Sequence, residues 1–292
     1  MVKENKNNLK ILSGLQDIAS EYDAFIIDLW GVVHNGVVAY PGVVACLNNL
    51  IADNKPIIFM TNAPRPNKVI LQQLLDLKIN ANIDMMLTSG DTARSVLKKT
   101  LVNKPSTRYY HLGKHRNPDI LIDLELNLVD DFTKSDIILL TVYLEEHEDL
   151  EQFDDILKQA ATMKIPVMCP NPDRVAIHGS KNIYCAGFLA DKYEKLGGIV
   201  EYYGKPHLPI YSIALDRLLN QGVFNKKRVL MVGDTLATDI QGAKNAGIDS
   251  ALVLTGNISN LLKNIKSSEL EALENLFINN NIFPNHILHS LR

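Results

Sequence analysis

Three apolar runs end abruptly in polar groups: AFIID at residues 24–28, KPIIFMTN at 55–62 and RVLMVGD at 228–234. Ile57-Ile58-Phe59 and Val229-Leu230-Met231-Val232 carry no polar interruption. A strand of that kind is covered on both faces, which is the pattern of a parallel sheet. Segments with helical apolar spacing alternate with these runs: GVVACLNNLIADN after Pro41-Gly42, NKVILQQLLDLKI, and TDIQGAKNAGI ahead of the further run SALVLTG. Right-handed strand–helix–strand crossovers then predict an α/β fold with a doubly wound, Rossmann-like parallel sheet. In such sheets chemistry collects beyond the carboxyl ends of the strands. Asp28, Thr61-Asn62 and Asp234 stand at those ends. One aspartate after a strand also reads as a helix N-cap, but three oxygen-bearing strand ends together predict a site.

The middle of the chain has its own alternation. TSGDTARSVLKKTL reads as a helix capped by Ser89 or Asp91, RYYHLG and SDIILLTVY as strands, and DLEQFDDILKQAATMK as an amphipathic helix ahead of IPVMCPNPD. This predicts a smaller α/β cap domain over residues 86–184, inserted between core segments 1–85 and 185–292. A cap of this kind closes over a crevice and excludes water. The length of 292 residues suits one large domain plus an insert.

Apolar residues make up 46% and charged ones 22%, an ordinary globular balance, and the net charge of −3 gives no reason to expect nucleic acid as a partner. No apolar run is long enough to span a bilayer, so no membrane partner is expected. The N-terminus lacks a secretory apolar core and a cleavage site. Cys46, Cys169 and Cys185 are too few and too scattered for a disulfide framework and read as reduced thiols, so a cytoplasmic protein is expected.

Taken together the motifs resemble the haloacid dehalogenase (HAD) superfamily, and within it the branch whose α/β cap follows the second motif, which includes nitrophenyl-phosphate and pyridoxal-phosphate phosphatases. The resemblance runs from about residue 22 to residue 258. It rests on Asp28-Leu29-Trp30-Gly31-Val32 with the His34-Asn35-Gly36 turn, on Thr61-Asn62, on Gly204-Lys205-Pro206, on Gly233-Asp234 through Asp239, and on Asn171-Pro172-Asp173 in the cap.

The resemblance implies a Mg²⁺-dependent phosphatase of a small phosphorylated metabolite, a sugar or cofactor phosphate. Asp28 would be the nucleophile, forming an aspartyl-phosphate. Asp28, Asp234 and the backbone carbonyl of Trp30 would hold Mg²⁺. Thr61 and Lys205 would bind the phosphate, and Asp239 would steady Lys205 or a metal-bound water, its other reading being a helix N-cap. Asn62 reads as a phosphate-loop donor or a turn former. Asp173 and Arg174 read as substrate-binding groups, the guanidinium for a second anion, or as a solvated turn. The acidic stretch EEHEDLEQFDD reads as the solvated face and first turn of a cap helix.

Trp30 departs from the superfamily's usual second aspartate, which protonates the leaving oxygen and later activates water. An indole does neither, and general acid–base help is typically worth about 10²–10⁴-fold. His34 is a candidate proton donor or a loop-ordering residue. The alternative to a phosphatase is therefore a phosphate-binding or regulatory protein with little turnover. An oligomer is compatible with such a cap.

Overall fold

The structure, a computed structural model, describes residues 10–178, 181–263 and 267–292, with only the backbone of 177 and 178. The first nine residues, on which the expectation about an export signal falls, lie outside the described residues. In chain order the strands are β1 Ile11–Leu12, β2 Ala24–Ile27, β3 Ile57–Thr61, β4 Met86–Thr88, β5 Arg108–Leu112, β6 Asn127–Leu128, β7 Ile137–Leu140 and β8 Leu144–Glu145. They continue with β9 Val167–Cys169, β10 Val175–His178, β11 Lys181–Tyr184, β12 Val200–Tyr202, β13 Val229–Gly233, β14 Asp249–Val253 and β15 His286–Leu288.

Seven of them form one parallel sheet in the order β1-β15-β14-β13-β2-β3-β4. Its unbroken apolar runs follow from period-two alternation between two covered faces. Phe25, Ile27, Ile57 and Phe59 pack into one core cluster with Leu47 and Leu74 of the helices Val43–Ala52 and Asn67–Asp76. Ala24, Ile26, Ile58 and Met60 pack on the other face against Ile210, Tyr211 and Leu218 of the helix Leu208–Asn220. β2 lies between β13 and β3, with Ile27 in register with Val232 on one side and Phe59 on the other. That order brings the residues after all three strands to one place.

The smaller unit carries a five-stranded parallel sheet, β12-β9-β7-β5-β6, and a three-stranded antiparallel sheet, β10-β11-β8. One face of the five-stranded sheet packs on Ala93 and Leu97 of the helix Ser89–Asn103, and the other on Leu157 and Leu189 of the helices Asp154–Thr162 and Ala186–Lys195. Sheet membership differs from the expected 86–184 insert at both edges. Met86–Thr88 is the edge strand of the larger sheet, and Val200–Tyr202 belongs to the smaller one. Short strands of this kind carry no pattern that says which sheet they join.

The helix after β4 is capped by Thr88, whose Oγ1 accepts from Asp91 N at 3.0 Å, rather than by Ser89 or Asp91. Thr88 ends a strand and keeps the extended backbone that an N-cap needs. The acidic stretch is also only partly a helix start: the helix begins at Asp154, while Glu148 turns inward to Arg116. Among the described residues no helix is long and apolar enough to cross a membrane, and all three cysteines are free thiols.

Candidate active site

Asp28 follows β2, and its own N–H donates to Val232 O at 2.9 Å, so the strand ladder continues up to the carboxylate. Asp28 is 6% exposed. Lys205 Nζ lies 2.5 Å from Asp28 Oδ1 and 2.7 Å from Asp239 Oδ1, as an ion pair with both. Asp239 Oδ2 accepts from Thr235 N at 3.1 Å. Asp234, after β13, accepts from Thr235 Oγ1 at 2.9 Å and from Asn257 N at 2.6 Å. A Cβ added to Gly31 would run into Asp234 Oδ2, and one added to Gly233 would run into Asp239, so both glycines permit the close approach of the carboxylates.

Asp28, Asp234 and Asp239 each present a carboxylate oxygen within 4.8 Å of the others, all buried. Three carboxylates face a single ammonium, and the electrostatics reflect it. Burial pushes the Asp28 carboxyl well above its ordinary range, with Asp239 and Asp234 adding to the effect against the pull of Lys205. Asp234 is raised to about 7, by burial first and then by Asp239. Burial opposes the charge on Lys205, but Asp239 and Asp28 outweigh it and hold its pKa well above the usual lysine value. Buried, oxygen-only and short of positive charge, this donor set fits a hard divalent cation. Asp28 and Asp239 share the Lys205 ammonium, and Asp239 also accepts from Thr235 N, whereas Asp234 is met by the neutral donors Thr235 Oγ1 and Asn257 N.

A cavity of about 530 Å³ opens above Asp28, lined by Trp30, Thr61, Lys205 and Asp234 from the larger unit and by Asp173, Arg116 and Tyr143 from the smaller one. Thr61 Oγ1 accepts from Ala63 N at 3.2 Å, which leaves its own proton to donate. Trp30 is half-buried on the wall and meets His34 edge-on, with ring centroids 5.5 Å apart. His34 does not line the cavity. Its Nδ1 accepts from Gly36 N at 3.0 Å, and burial lowers its pKa to about 4, so it orders the turn as a neutral ring.

Two expected substrate contacts are placed differently. Asn62 lines the cavity, but its side-chain amide is fully engaged: Nδ2 donates to Asp173 Oδ1 at 2.8 Å and to Lys205 O at 3.0 Å, and Oδ1 accepts from Lys205 N at 2.7 Å. It is a strut between the cap and the lysine loop. Arg174 is outside the cavity lining, largely exposed, and paired with Asp191 at 2.5 Å. Asp173 accepts from Asn62 Nδ2 at the cavity, whereas the Arg174 guanidinium reaches Asp191 instead. The arginines that do line the cavity, Arg65 and Arg116, were not singled out in the sequence. A signal existed: Arg65 follows β3 by four residues, and Arg116 follows β5 of the smaller sheet by the same interval.

Residues 25–126 match the sequence profile of the haloacid dehalogenase-like hydrolases, and residues 202–291 match a second HAD-hydrolase-like profile. An acid sugar phosphatase of Staphylococcus epidermidis is 27% identical over 238 residues, covering 80% of this chain and 87% of that protein. The ribonucleotide monophosphatase NagD of Escherichia coli is 25% identical over 235 residues, covering 79% and 87%. The crystal structure of a Brucella suis hydrolase of the haloacid dehalogenase-like family superposes with a TM-score of 0.80 at 31% identity, covering 97% of this chain and 100% of that one. With the sheet order, the capped crevice and the strand-end carboxylates already in place, this agreement along nearly the whole length shows that the chain belongs to the haloacid dehalogenase-like family of hydrolases.

Proposed function

We propose that the chain is a phosphatase of small phosphorylated metabolites, acting through an aspartyl-phosphate on Asp28. The observation that carries this reading is the Asp28 carboxylate at the floor of the cavity, paired with Lys205 and flanked by Asp234 and Thr61 from the neighbouring strands. The similarity to a sugar phosphatase and a nucleotide phosphatase supports it. An Asp28 oxygen forms a bond to phosphorus as the bond to the leaving oxygen breaks. Water then attacks phosphorus, the bond to Asp28 breaks, and inorganic phosphate leaves. Lys205 and the Thr61 hydroxyl neutralise and orient the phosphoryl oxygens. Asp28, Asp234 and the Trp30 carbonyl would hold Mg²⁺. When bound, that cation supplies the charge neutralisation that lets a phosphate dianion approach a carboxylate. Asp239 keeps Lys205 in place.

Trp30 supports a second reading, a phosphate-binding protein with little turnover, since the indole stands where a carboxyl would protonate the leaving group. Nitrophenyl phosphate with Mg²⁺ separates the two, because nitrophenolate leaves without a proton. Turnover that disappears in Asp28→Asn supports the phosphatase. Saturable phosphate binding without turnover supports the second reading.

A further inference from the structure

Lys205 stands on the crossing by which the chain returns from the smaller unit to the larger. Before it, β12 ends at Tyr202 in the smaller sheet; after it, the helix Leu208–Asn220 packs on the larger one. The place of its ammonium therefore depends on how the two units sit together. What holds the crossing is a side chain from the core. The Lys205 N–H donates to Asn62 Oδ1 at 2.7 Å, and its carbonyl accepts from Asn62 Nδ2 at 3.0 Å, so one amide grips both main-chain groups of the residue. Asn62 is 2% exposed, and its third bond, Nδ2 to Asp173 Oδ1 at 2.8 Å, reaches the cap.

The three bonds fix one orientation of the amide. Turned about, it would set its oxygen against the Asp173 carboxylate and the Lys205 carbonyl, and its nitrogen against the Lys205 N–H. Asp173 is in turn held within the cap. Its N–H donates to Asn171 Oδ1 at 3.0 Å, and its carbonyl accepts from Gly187 N at 3.1 Å, in the cap helix Ala186–Lys195. The residue after Asn62 bonds to the other crossing. Ala63 O accepts from Ser89 Oγ at 3.1 Å and from Gly90 N at 3.2 Å, in the first turn of the helix that leads into the smaller unit. The loop that presents Thr61 to the cavity is thus bonded to both passages of chain between the units.

We propose that Asn62 and Asp173 are positioning residues of the reaction: the Asn62 amide holds the Lys205 backbone where Nζ reaches Asp28 and Asp239, and Asp173 of the cap holds the amide. This rests on the phosphatase reading for what Lys205 does to phosphate, and on the hydrogen bonds alone for where Lys205 stands. Seating of the cap and alignment of the lysine are then one event. With Asp173 withdrawn, Asp28 and Thr61 keep their places at the strand ends while the lysine loosens. The role asks Asp173 for an acceptor oxygen and not for a charge or a proton.

The test follows the lysine itself, by nuclear magnetic resonance of the full chain labelled at the lysine nitrogens. The buried, ion-paired Lys205 ammonium exchanges its protons slowly and gives its own Nζ signal, assigned by its loss in Lys205→Met. Asp173→Leu removes the acceptor at similar size. The Nζ signal shifts, and kcat for nitrophenyl phosphate with Mg²⁺ falls about tenfold or more, the scale of one hydrogen bond to a charged group. Asp173→Asn keeps an oxygen for Asn62 Nδ2, returns the signal toward its wild-type place and recovers most of the turnover. Asn62→Asp, nearly isosteric, sets a carboxylate against Asp173 and the Lys205 carbonyl and disturbs both readouts. Asn62 is buried, so if that variant does not fold the partly buried Asp173 decides. An Nζ signal that stays in place in Asp173→Leu, or an Asp173→Asn protein as impaired as Asp173→Leu, overturns the proposal. The second result would assign the work to the carboxylate's charge or proton. A wild type without nitrophenyl phosphate turnover refutes the phosphatase reading, and the Nζ signal decides the position of Lys205 without any turnover.

Discussion

The Lys205 ammonium stands 2.5 Å from Asp28 Oδ1, with 176 residues of chain between the two. The pair is buried, and it couples the residue that would attack phosphorus to the one that would hold the phosphoryl oxygens. Replacing Asp28 by Asn keeps the shape and removes the nucleophile. Turnover of nitrophenyl phosphate falls to background, and thermal melting shows a folded protein. Residual activity in a clean preparation would place the chemistry elsewhere.

Lys205→Met leaves Asp28 and Asp239 without their cation. Removing one partner of a buried pair typically costs about 3–5 kcal/mol. The variant melts well below wild type without metal and recovers part of the loss in Mg²⁺. A melting curve identical to wild type would mean that the ion pair is solvated in solution.

The raised Asp234 sets a pH dependence with a definite sign. Its carboxyl titrates near 7 in the fold against an ordinary 3.8. Below about pH 4 it is protonated in both folded and unfolded chains. As pH rises from there to 7 the unfolded chain ionises first, so metal-free stability falls with rising pH. A cation bound to the carboxylates reverses that loss. The rise in melting temperature on adding Mg²⁺ is therefore larger at pH 8 than at pH 5, and equal gains at both would remove Asp234 from the metal site.

Trp30 makes the leaving group matter. Nitrophenyl phosphate releases a stable anion, whereas alkyl phosphates release an alkoxide that needs a proton. Wild type turns over the first class far faster than the second, and Trp30→Asp narrows the gap by up to about 10²–10⁴-fold. The substitution also removes an aromatic packed against the core cluster, so some stability is lost. Equal wild-type rates on both classes would identify another donor. Asp173 is the first to test, because it lines the cavity and burial raises its carboxyl.

Arg65 and Arg116 line the cavity and Arg174 does not. Arg116→Ala raises KM for substrates with a second anionic group and changes kcat little, whereas Arg174→Ala leaves both unchanged. The reverse pattern would show that the cap takes up a different arrangement around substrate.

The core and the identity of its strand-end residues were legible in the sequence because a doubly covered strand must be apolar along its whole length. Asp28, Thr61 and Asp234 therefore stand out wherever such a run stops. Trp30 at the rim was legible for the same reason, being tied to Asp28 by two residues of chain. What the sequence left open depends on the direction of side chains and the partners of short strands. Asn62 is a polar residue after a strand in any reading, and only the fold engages its amide with Asp173 and Lys205, which are 111 and 143 residues away. Arg174 and Arg116 are alike as letters. The bend ahead of β10 leaves the first paired with Asp191 outside the cavity lining, while the turn after β5 carries the second to the cavity. The two-residue β1 and the three-residue β4, β12 and β15 find their sheets only by packing on surfaces already formed. Local sequence thus determined which residues end the strands, and tertiary packing decided which of them meet, because hydrogen-bond partners distant in the chain are selected by the assembled sheet order and by no pattern within a segment.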